Sequence, residues 1–157
     1  LLLSTDNITE AMIREANFII ASSSYKLSRT DEAFKFFSLL SEDTKTAEGA
    51  ESKYYKAQIL FDRNQLKESE DEIMDFIGKN SPHQYWLGKS FILLSDIYLT
   101  QNDLFQARHT LKSIIDNYSN TEDGIIEAAN QKMTIISLRE GEAIIKDVNP
   151  ADSIQNN

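Results

Sequence analysis

One six-residue pattern occurs three times in this chain of 157 residues, at residues 28–33, 64–69 and 102–107. Each copy opens with polar residues typical of a turn and closes on a small residue: Ala33, Ser69 and Ala107, which are 36 and then 38 residues apart. A recurring unit of this length is typical of stacked supersecondary units. Because one unit cannot bury its apolar face alone, neighbouring units bury it together and form a long curved surface. The repeat therefore predicts an array, and the surface of an array suits a partner.

Composition narrows the class of partner. The chain is 41% hydrophobic and 10% aromatic, which is enough for a real core. Its net charge of −9 argues against nucleic acid as the main partner, because phosphate binding needs clustered Lys and Arg. The same charge argues against docking on anionic lipid. The absence of cysteine excludes disulfides and thiolate metal sites. We expect a protein or peptide partner, and no small-molecule substrate or cofactor.

The apolar runs are short. The longest, residues 91–94, is interrupted by Ser95 and Asp96, whereas a membrane span needs about 20 apolar residues. We therefore expect no direct membrane insertion by this segment. The opening residues Leu1–Leu3 lack the features of a signal peptide, so we interpret them as the tail of a preceding helix. On this hypothesis the chain is a piece of a longer protein, with any targeting signal upstream.

Helical periodicity predicts an all-α chain with seven helices in one domain, residues 1–149, followed by a disordered tail at residues 150–157. The predicted units are three helix pairs at about residues 8–41, 47–79 and 82–118, and a last helix at about residues 122–146. Three start signals support these bounds: Asn7 with Glu10, Ser81 with Pro82 and Gln84, and Thr121 with Asp123.

The units resemble the tetratricopeptide repeat, which pairs two helices over about 34 residues and sets small residues where the helices cross. The matching positions in the three units are Ile20, Ala21, Ala33, Phe37 and Leu40; Ala57, Leu60, Ser69, Ile73 and Phe76; and Phe91, Leu94, Ser95, Tyr98, Ala107, Leu111 and Ile114. Small side chains allow close approach, and large ones fill the space between pairs. On this register Ala57 and Ala107 lie at helix crossings, whereas Ala50 and Ala128 lie outside them.

The resemblance implies a right-handed α-α superhelix of three helix pairs, closed by a long C-terminal capping helix. That helix would need a polar outer face, which Glu127, Asn130, Gln131, Lys132, Arg139 and Glu140 could supply. Residues 46–51 and 82–86 are similar to the C-terminal part of long bacterial envelope proteins with tetratricopeptide repeats. This likeness implies the bacterial periplasm or the periphery of the outer membrane. The chain departs from the motif in having no tryptophan at the usual anchor and no proline at the end of its units.

The geometry of the motif implies a concave groove lined by the first helix of each pair. The residues that we expect to contact a partner there are Tyr25, Lys26, Tyr54, Gln58, Asp62, Lys89 and Asp96. Tyrosines among mixed charges are typical of protein-binding surfaces. Burial under a neighbouring helix is the competing interpretation for the two tyrosines.

Other candidate sites favour ordinary structural explanations. His83 and His109 lie in different helices without further ligands at metal-binding spacing. Ser23 and Lys26 have the Ser-x-x-Lys spacing of some hydrolases, but the accompanying motifs are absent. The acidic run at residues 68–75 is interpreted as a solvated outer face, with a patch for a basic partner as the alternative.

We therefore expect no catalytic, metal or cofactor-binding residues, and a non-enzymatic scaffold that binds a protein or peptide. Two alternatives stay open. The chain could be a purely structural end-cap of a longer solenoid, or a non-catalytic part of an enzyme whose site lies upstream.

Overall fold

A computed structural model describes residues 9–148, with side chains up to residue 142, and all regular secondary structure in this range is helical. The seven described helices are α1 (Glu10–Lys26), α2 (Thr30–Leu40), α3 (Ala47–Asp62), α4 (Leu66–Gly78), α5 (Gln84–Thr100), α6 (Leu104–Asn117) and α7 (Ile125–Val148). The predicted all-α class is confirmed. The predictions for Leu1–Leu3 and for residues 150–157 lie outside the described residues.

The helices fall into two compact units, and the boundary lies between Ser90 and Phe91, inside α5. In the first unit α1 packs on α2, α2 on α3 and α3 on α4, while α1 also touches α3. In the second unit α6 packs on α7, and apolar side chains of the later part of α5 pack against their core. The prediction of one domain over residues 1–149, and that of a superhelix, stay predictions.

The three copies of the sequence repeat share one backbone turn. Ser28, Asn64 and Asn102 have φ angles of 58°, 59° and 60°, in the left-handed region. In each copy the following amide donates to the carbonyl oxygen five residues earlier, at 2.8, 2.9 and 2.8 Å. This six-to-one hydrogen bond is typical of a helix that ends in a left-handed residue. The sequence repeat is therefore also a repeat of helix-turn-helix geometry.

Small residues allow close helix contacts in both units. The core of the first unit contains Ala21, Ala33, Phe37, Leu40 and Ile59, all buried. That of the second contains Ala107, Leu111, Ile114, Ile125, Ala129 and Ile136. Between α3 and α4, the buried Ser69 hydroxyl donates to the carbonyl oxygen of Ala57 at 2.8 Å. A larger residue at Ala57 would have to displace this contact.

Two connectors of the first unit are bonded to each other. Ser81 Oγ donates to the carbonyl oxygen of Thr44 at 2.6 Å. His83 Nε2 lies 3.0 Å from the carbonyl oxygen of Lys45. The α2–α3 connector is therefore held by the α4–α5 connector, and His83 has a structural partner.

Three helix starts differ from the predicted ones. Thr9, and not Asn7, caps α1 by accepting from the amide of Met12; Asn7 itself lies outside the described residues. Pro82 precedes α5, which begins at Gln84; Ser81 Oγ donates to the carbonyl oxygen of Thr44 and accepts from the amide of His83 at 3.3 Å. The last helix begins at Ile125 and not near residue 122; Gly124, directly before it, has a φ of 83°, and Asp123 Oδ1 accepts from the amide of Ile125 at 3.1 Å.

The acidic run on α4 is more than a solvated face. Lys53 of α3 is only 4% exposed, and its ammonium lies 2.5 Å from carboxylate oxygens of both Glu72 and Asp75. Lys56 also pairs with Glu72 at 2.5 Å, and Lys79 with Asp75 at 3.2 Å. Part of the run therefore fastens α4 to α3. The interpretation as a solvated face is wrong for Glu72, whose side chain is 20% exposed, whereas Asp75 stays 49% exposed.

The outer face of α7 is not uniformly polar. Lys132 and Glu140, which we predicted to face outward, instead pair with Asp96 and Arg108 of the same unit. Ile135 and Leu138 are exposed on this helix. No helix within residues 9–148 combines the length and the apolar character that crossing a bilayer requires.

Candidate functional site

Six aromatic rings meet in the first unit, where α1, α2, α3 and the start of α5 supply them. We call this group the ring cluster: Tyr25, Phe37, Tyr54, Tyr55, Tyr85 and Trp86. Contacting ring centroids lie between 4.9 Å (Tyr25 to Tyr55) and 6.2 Å (Tyr25 to Phe37) apart. Tilted and edge-on pairs at such distances are favourable because the ring edge is positive and the ring face negative.

One side of the ring cluster already carries a cation. Lys89 Nζ lies 4.7 Å from the ring centroid of Tyr54 and 5.4 Å from that of Trp86. It also lies 5.9 Å from the ring centroid of Tyr85. An ammonium within about 6 Å of a ring centroid is attracted by the ring face. Lys89 thus covers Tyr54, which is 9% exposed, whereas Tyr85 is 40% exposed.

Polar side chains follow the ring cluster along α3. The Tyr54 hydroxyl donates to Gln58 Oε1 at 3.1 Å, and Gln58 Nε2 donates to Asp62 Oδ1 at 2.9 Å. Residues four apart lie on one face of a helix, so each side chain fixes the rotamer of the next. The result is a pre-ordered polar row beside the rings.

A cavity of about 320 Å³ opens between α1 and α3, above α2. We call it the Phe18 pocket; its lining residues are Phe18, Ser22, Tyr25, Lys26, Phe37, Glu51 and Tyr55. Its wall is mainly aromatic, and it shares Tyr25, Phe37 and Tyr55 with the ring cluster. Ser22 Oγ is buried and has no hydrogen-bond partner among the described residues. An unsatisfied buried hydroxyl is unusual in a folded protein.

Burial controls the ionisation of the groups around the Phe18 pocket. It raises the pKa of Glu51 above its ordinary value, although Lys89 and Lys26 act in the opposite direction. Burial likewise raises the pKa values of Tyr25 and Tyr55, with the negative charges of Asp62 and Glu51 respectively adding to the effect. The pKa of Tyr54 is also raised, first by burial. The tyrosines are therefore neutral hydrogen-bonding groups, and Glu51 is a poorly hydrated carboxylate.

The seven predicted binding residues do not all lie together. Tyr25 and Lys26 line the Phe18 pocket. The α3 residues Tyr54, Gln58 and Asp62 form the polar row, and Lys89 covers Tyr54. Asp96 belongs to the second unit, where it pairs with Lys132 of α7 at 2.5 Å.

Tyr55, Tyr85 and Trp86 were not among the predicted binding residues. Tyr55 lines the Phe18 pocket, and Trp86 joins Tyr54 to Tyr85. The available signal was the pair of aromatic doublets at residues 54–55 and 85–86. Adjacent residues on a helix point about 100° apart, so each doublet presents a wide aromatic surface.

The other sequence candidates have ordinary surroundings. His109 is exposed and stacks on Phe105, with centroids 6.4 Å apart. Ser23, of the Ser-x-x-Lys spacing, is exposed on α1. Within the part of the chain that the structure describes, no three His, Asp or Glu side chains converge as a metal site would require.

In comparison with known proteins, the chain matches no protein-family model and no curated protein.

Proposed function

We propose that this chain is a non-catalytic scaffold of tetratricopeptide type that binds a protein or peptide on the face formed by α1 and α3. The observation that carries the proposal is the Phe18 pocket beside the ring cluster. Aromatic anchors next to pre-ordered polar groups are typical of protein interfaces, where a few large rings supply most of the binding energy.

The α1–α3 face has the properties that favour binding over chemistry. Lys89 and the polar row from Tyr54 to Asp62 are held by contacts within the chain, so little side-chain entropy is lost when a partner binds. The likeness to envelope proteins adds a second expectation, that the chain works as part of a larger bacterial protein in the periplasm or at the outer membrane.

Site-specific photocrosslinking in the native cell tests the proposal. A photoreactive residue at Tyr25 is expected to give a discrete intermolecular product, since Tyr25 lines the pocket. The same residue at Phe105, which is 74% exposed in the second unit, is the matched control and is expected to give none. The Tyr25 product should disappear when Tyr85→Ser is added to a chain that keeps its helical circular dichroism. Products only within one chain would contradict the proposal.

A purely structural role is the second candidate, and one observation favours it. The apolar residues Met12, Ile13, Ile19 and Ile20 are between 39% and 57% exposed and lie along one stripe of α1. A contiguous apolar stripe of this kind suits the stacking surface of a solenoid repeat. An end-cap of a longer solenoid would use this stripe and leave the α1–α3 face empty.

The two candidates predict different sites of crosslinking. A photoreactive residue at Ile19 reports on the stripe, and one at Tyr25 reports on the α1–α3 face. Products at Ile19 alone would favour the structural role, and products at Tyr25 would favour partner binding.

A further inference from the structure

We infer that the Phe18 pocket binds an arginine side chain of the partner, with the guanidinium on the rings of Tyr25 and Tyr55 and its N–H groups directed at Glu51. This inference rests on the proposed function and names the chemistry that the α1–α3 face recognises.

One acceptor in the pocket, the Glu51 carboxylate, calls for a donor. Glu51 is partly withdrawn from water, and it forms no close ion pair with any side chain that the structure describes; Lys89 and Lys26 act on it only at longer range. A Leu or Phe side chain in this cavity would desolvate the Glu51 carboxylate further without replacing its hydrogen bonds to water. A ligand with several N–H donors replaces them.

The aromatic wall selects a cation, and among cations a flat one. The Lys89 ammonium of this chain lies over the neighbouring rings of Tyr54 and Trp86. This position agrees with the attraction of aromatic ring faces for positive charge. A guanidinium is planar, stacks on aromatic rings, loses hydration more easily than an ammonium and offers five N–H donors. Arginine therefore suits a cavity of about 320 Å³ with ring walls and a carboxylate better than lysine does.

The charge of the molecule favours the same ligand. A net charge of −9 attracts basic segments and repels acidic ones. Lys26 is the one lining cation, and it is exposed, so its ammonium can stay in water at the mouth of the pocket. Lys26 should then weaken arginine binding slightly, whereas it would strengthen the binding of a carboxylate. That difference in sign makes Lys26 the discriminating residue.

Capped tripeptides test the ligand chemistry. The probes are acetyl-Gly-Arg-Gly-amide, its citrulline analogue, which has the same shape without the charge, and the Lys and Leu analogues. In amide nuclear magnetic resonance titrations we expect the arginine peptide to shift residues of α1 and α3 around Tyr25 and Glu51. The citrulline peptide should bind at least about fivefold more weakly, because it lacks the charge-assisted hydrogen bond. Equal binding of citrulline or leucine, or no shifts with arginine, would overturn the inference.

Three variants test the residues. Glu51→Gln should weaken arginine binding about fivefold or more. Glu68→Gln removes the same charge from an exposed position on α4 of the same unit and should leave binding unchanged. Lys26→Gln should tighten binding about twofold, because an exposed charge acts through water and salt. If Lys26→Gln weakens binding instead, the pocket is a site for an anion and the inference fails.

The crosslinking experiment separates a failure of the arginine inference from a failure of the proposed binding function. If the crosslinked product at Tyr25 survives Glu51→Gln at full yield, a partner binds the α1–α3 face without using arginine there. If no intermolecular product forms at Tyr25 in the native chain, the binding role itself is wrong.

Discussion

Burial raises the pKa of Glu51, so ionising this carboxyl group costs the folded state free energy. A carboxyl group whose pKa is higher in the folded state destabilises the fold above that pKa, where it must ionise in poor solvent. This penalty disappears as pH falls through the folded pKa toward the ordinary value of about 4.3. Residues that bind ligands often carry such penalties.

We therefore predict that Glu51→Gln makes the protein more stable at pH 7, with a higher urea midpoint than the native chain. The two midpoints should converge as pH falls to about 4, where Glu51 is largely neutral. Urea unfolding at both pH values measures the difference. A variant that is less stable at pH 7 would mean that Glu51 is held by favourable contacts.

Lys53 presents the opposite case, a buried cation with two carboxylate partners. Burial works against the charge of Glu72, but hydrogen bonds from Lys53 and Lys56 outweigh it and lower the pKa. The hydrogen bond from Lys53 is the main cause of the lowered pKa of Asp75. Lowered carboxyl pKa values contribute stability that is fully present above the ordinary value of about 4 and is lost as pH falls through the folded pKa.

Lys53→Met keeps most of the apolar stem and removes the charge. We predict a loss of about 1–3 kcal/mol in the free energy of unfolding at pH 7. Removing one partner of a buried ion pair typically costs roughly 3–5 kcal/mol. The loss should be smaller here because Lys56 and Lys79 still pair with the carboxylates. The difference in the free energy of unfolding between Lys53→Met and the native chain should shrink below about pH 4. Lys67→Met, which removes an exposed lysine paired with Asp71, is the control and should cost almost nothing. Equal losses for the two variants would contradict a special role for Lys53.

Crowding at the helix crossings gives a third prediction. Ala57 and Ala107 are 1% and 0% exposed, so leucine at either position should cost about 1–3 kcal/mol through overpacking. We expected Ala50, outside the crossings, to tolerate leucine; it is 0% exposed, so it too should reject leucine and cannot serve as the control. Ala16, which is exposed on α1, is the better control. Urea midpoints compare the variants, and tolerance of leucine at Ala57 equal to that at Ala16 would refute the register.

At the scale of elements, the start of α3 depends on a glycine. Thr46 caps the helix by accepting from the amide of Gly49 at 3.1 Å, and the chain folds back so closely that a Cβ atom at Gly49 would lie 1.9 Å from the carbonyl oxygen of Asp43. No rotamer change relieves a collision with backbone. The α2–α3 connector and the first turn of α3 must separate if any side chain is added.

We predict that Gly49→Ala lowers the melting temperature strongly, with a loss of about 2 kcal/mol or more, the usual size of a core clash. Gly78→Ala is the matched control, because no neighbouring part of the fold lies within 4 Å of the position that its methyl group would take, and alanine favours the helix. It should be neutral or stabilising by up to about 1 kcal/mol. Differential scanning calorimetry measures the melting temperatures of both variants. Similar melting temperatures would mean that the connector shifts freely.

At the scale of the whole molecule, helical periodicity carries the fold class and most helix bounds, because it reflects which face of each helix is buried. The repeated turn could also be predicted from the sequence, because asparagine, present at Asn64 and Asn102, suits the left-handed conformation. The hydrogen bond from Ser81 to Thr44 could not be predicted, because the two residues are 37 positions apart in the sequence. Periodicity does not report such long-range partners.

The candidate site was predictable to the same extent. Tyr54, Gln58 and Asp62 recur every four residues, and the structure connects them in that order. Asp96 was grouped with them by register alone, but its ion pair with Lys132 spans 36 residues and depends on how α7 packs. Which rings meet in the ring cluster depends in the same way on the packing of separate helices.

The ring cluster also gives the molecule an intrinsic optical signal. Trp86 is the only tryptophan of the chain, and its ring centroid lies 5.5 Å from that of Tyr54 and 5.9 Å from that of Tyr55. Excited tyrosines pass their energy efficiently to an indole at such separations, so Trp86 emission reports on its tyrosine neighbours. Tyr55 also lines the Phe18 pocket. Fluorescence of the unlabelled protein should therefore follow both unfolding of the first unit and occupation of its pocket.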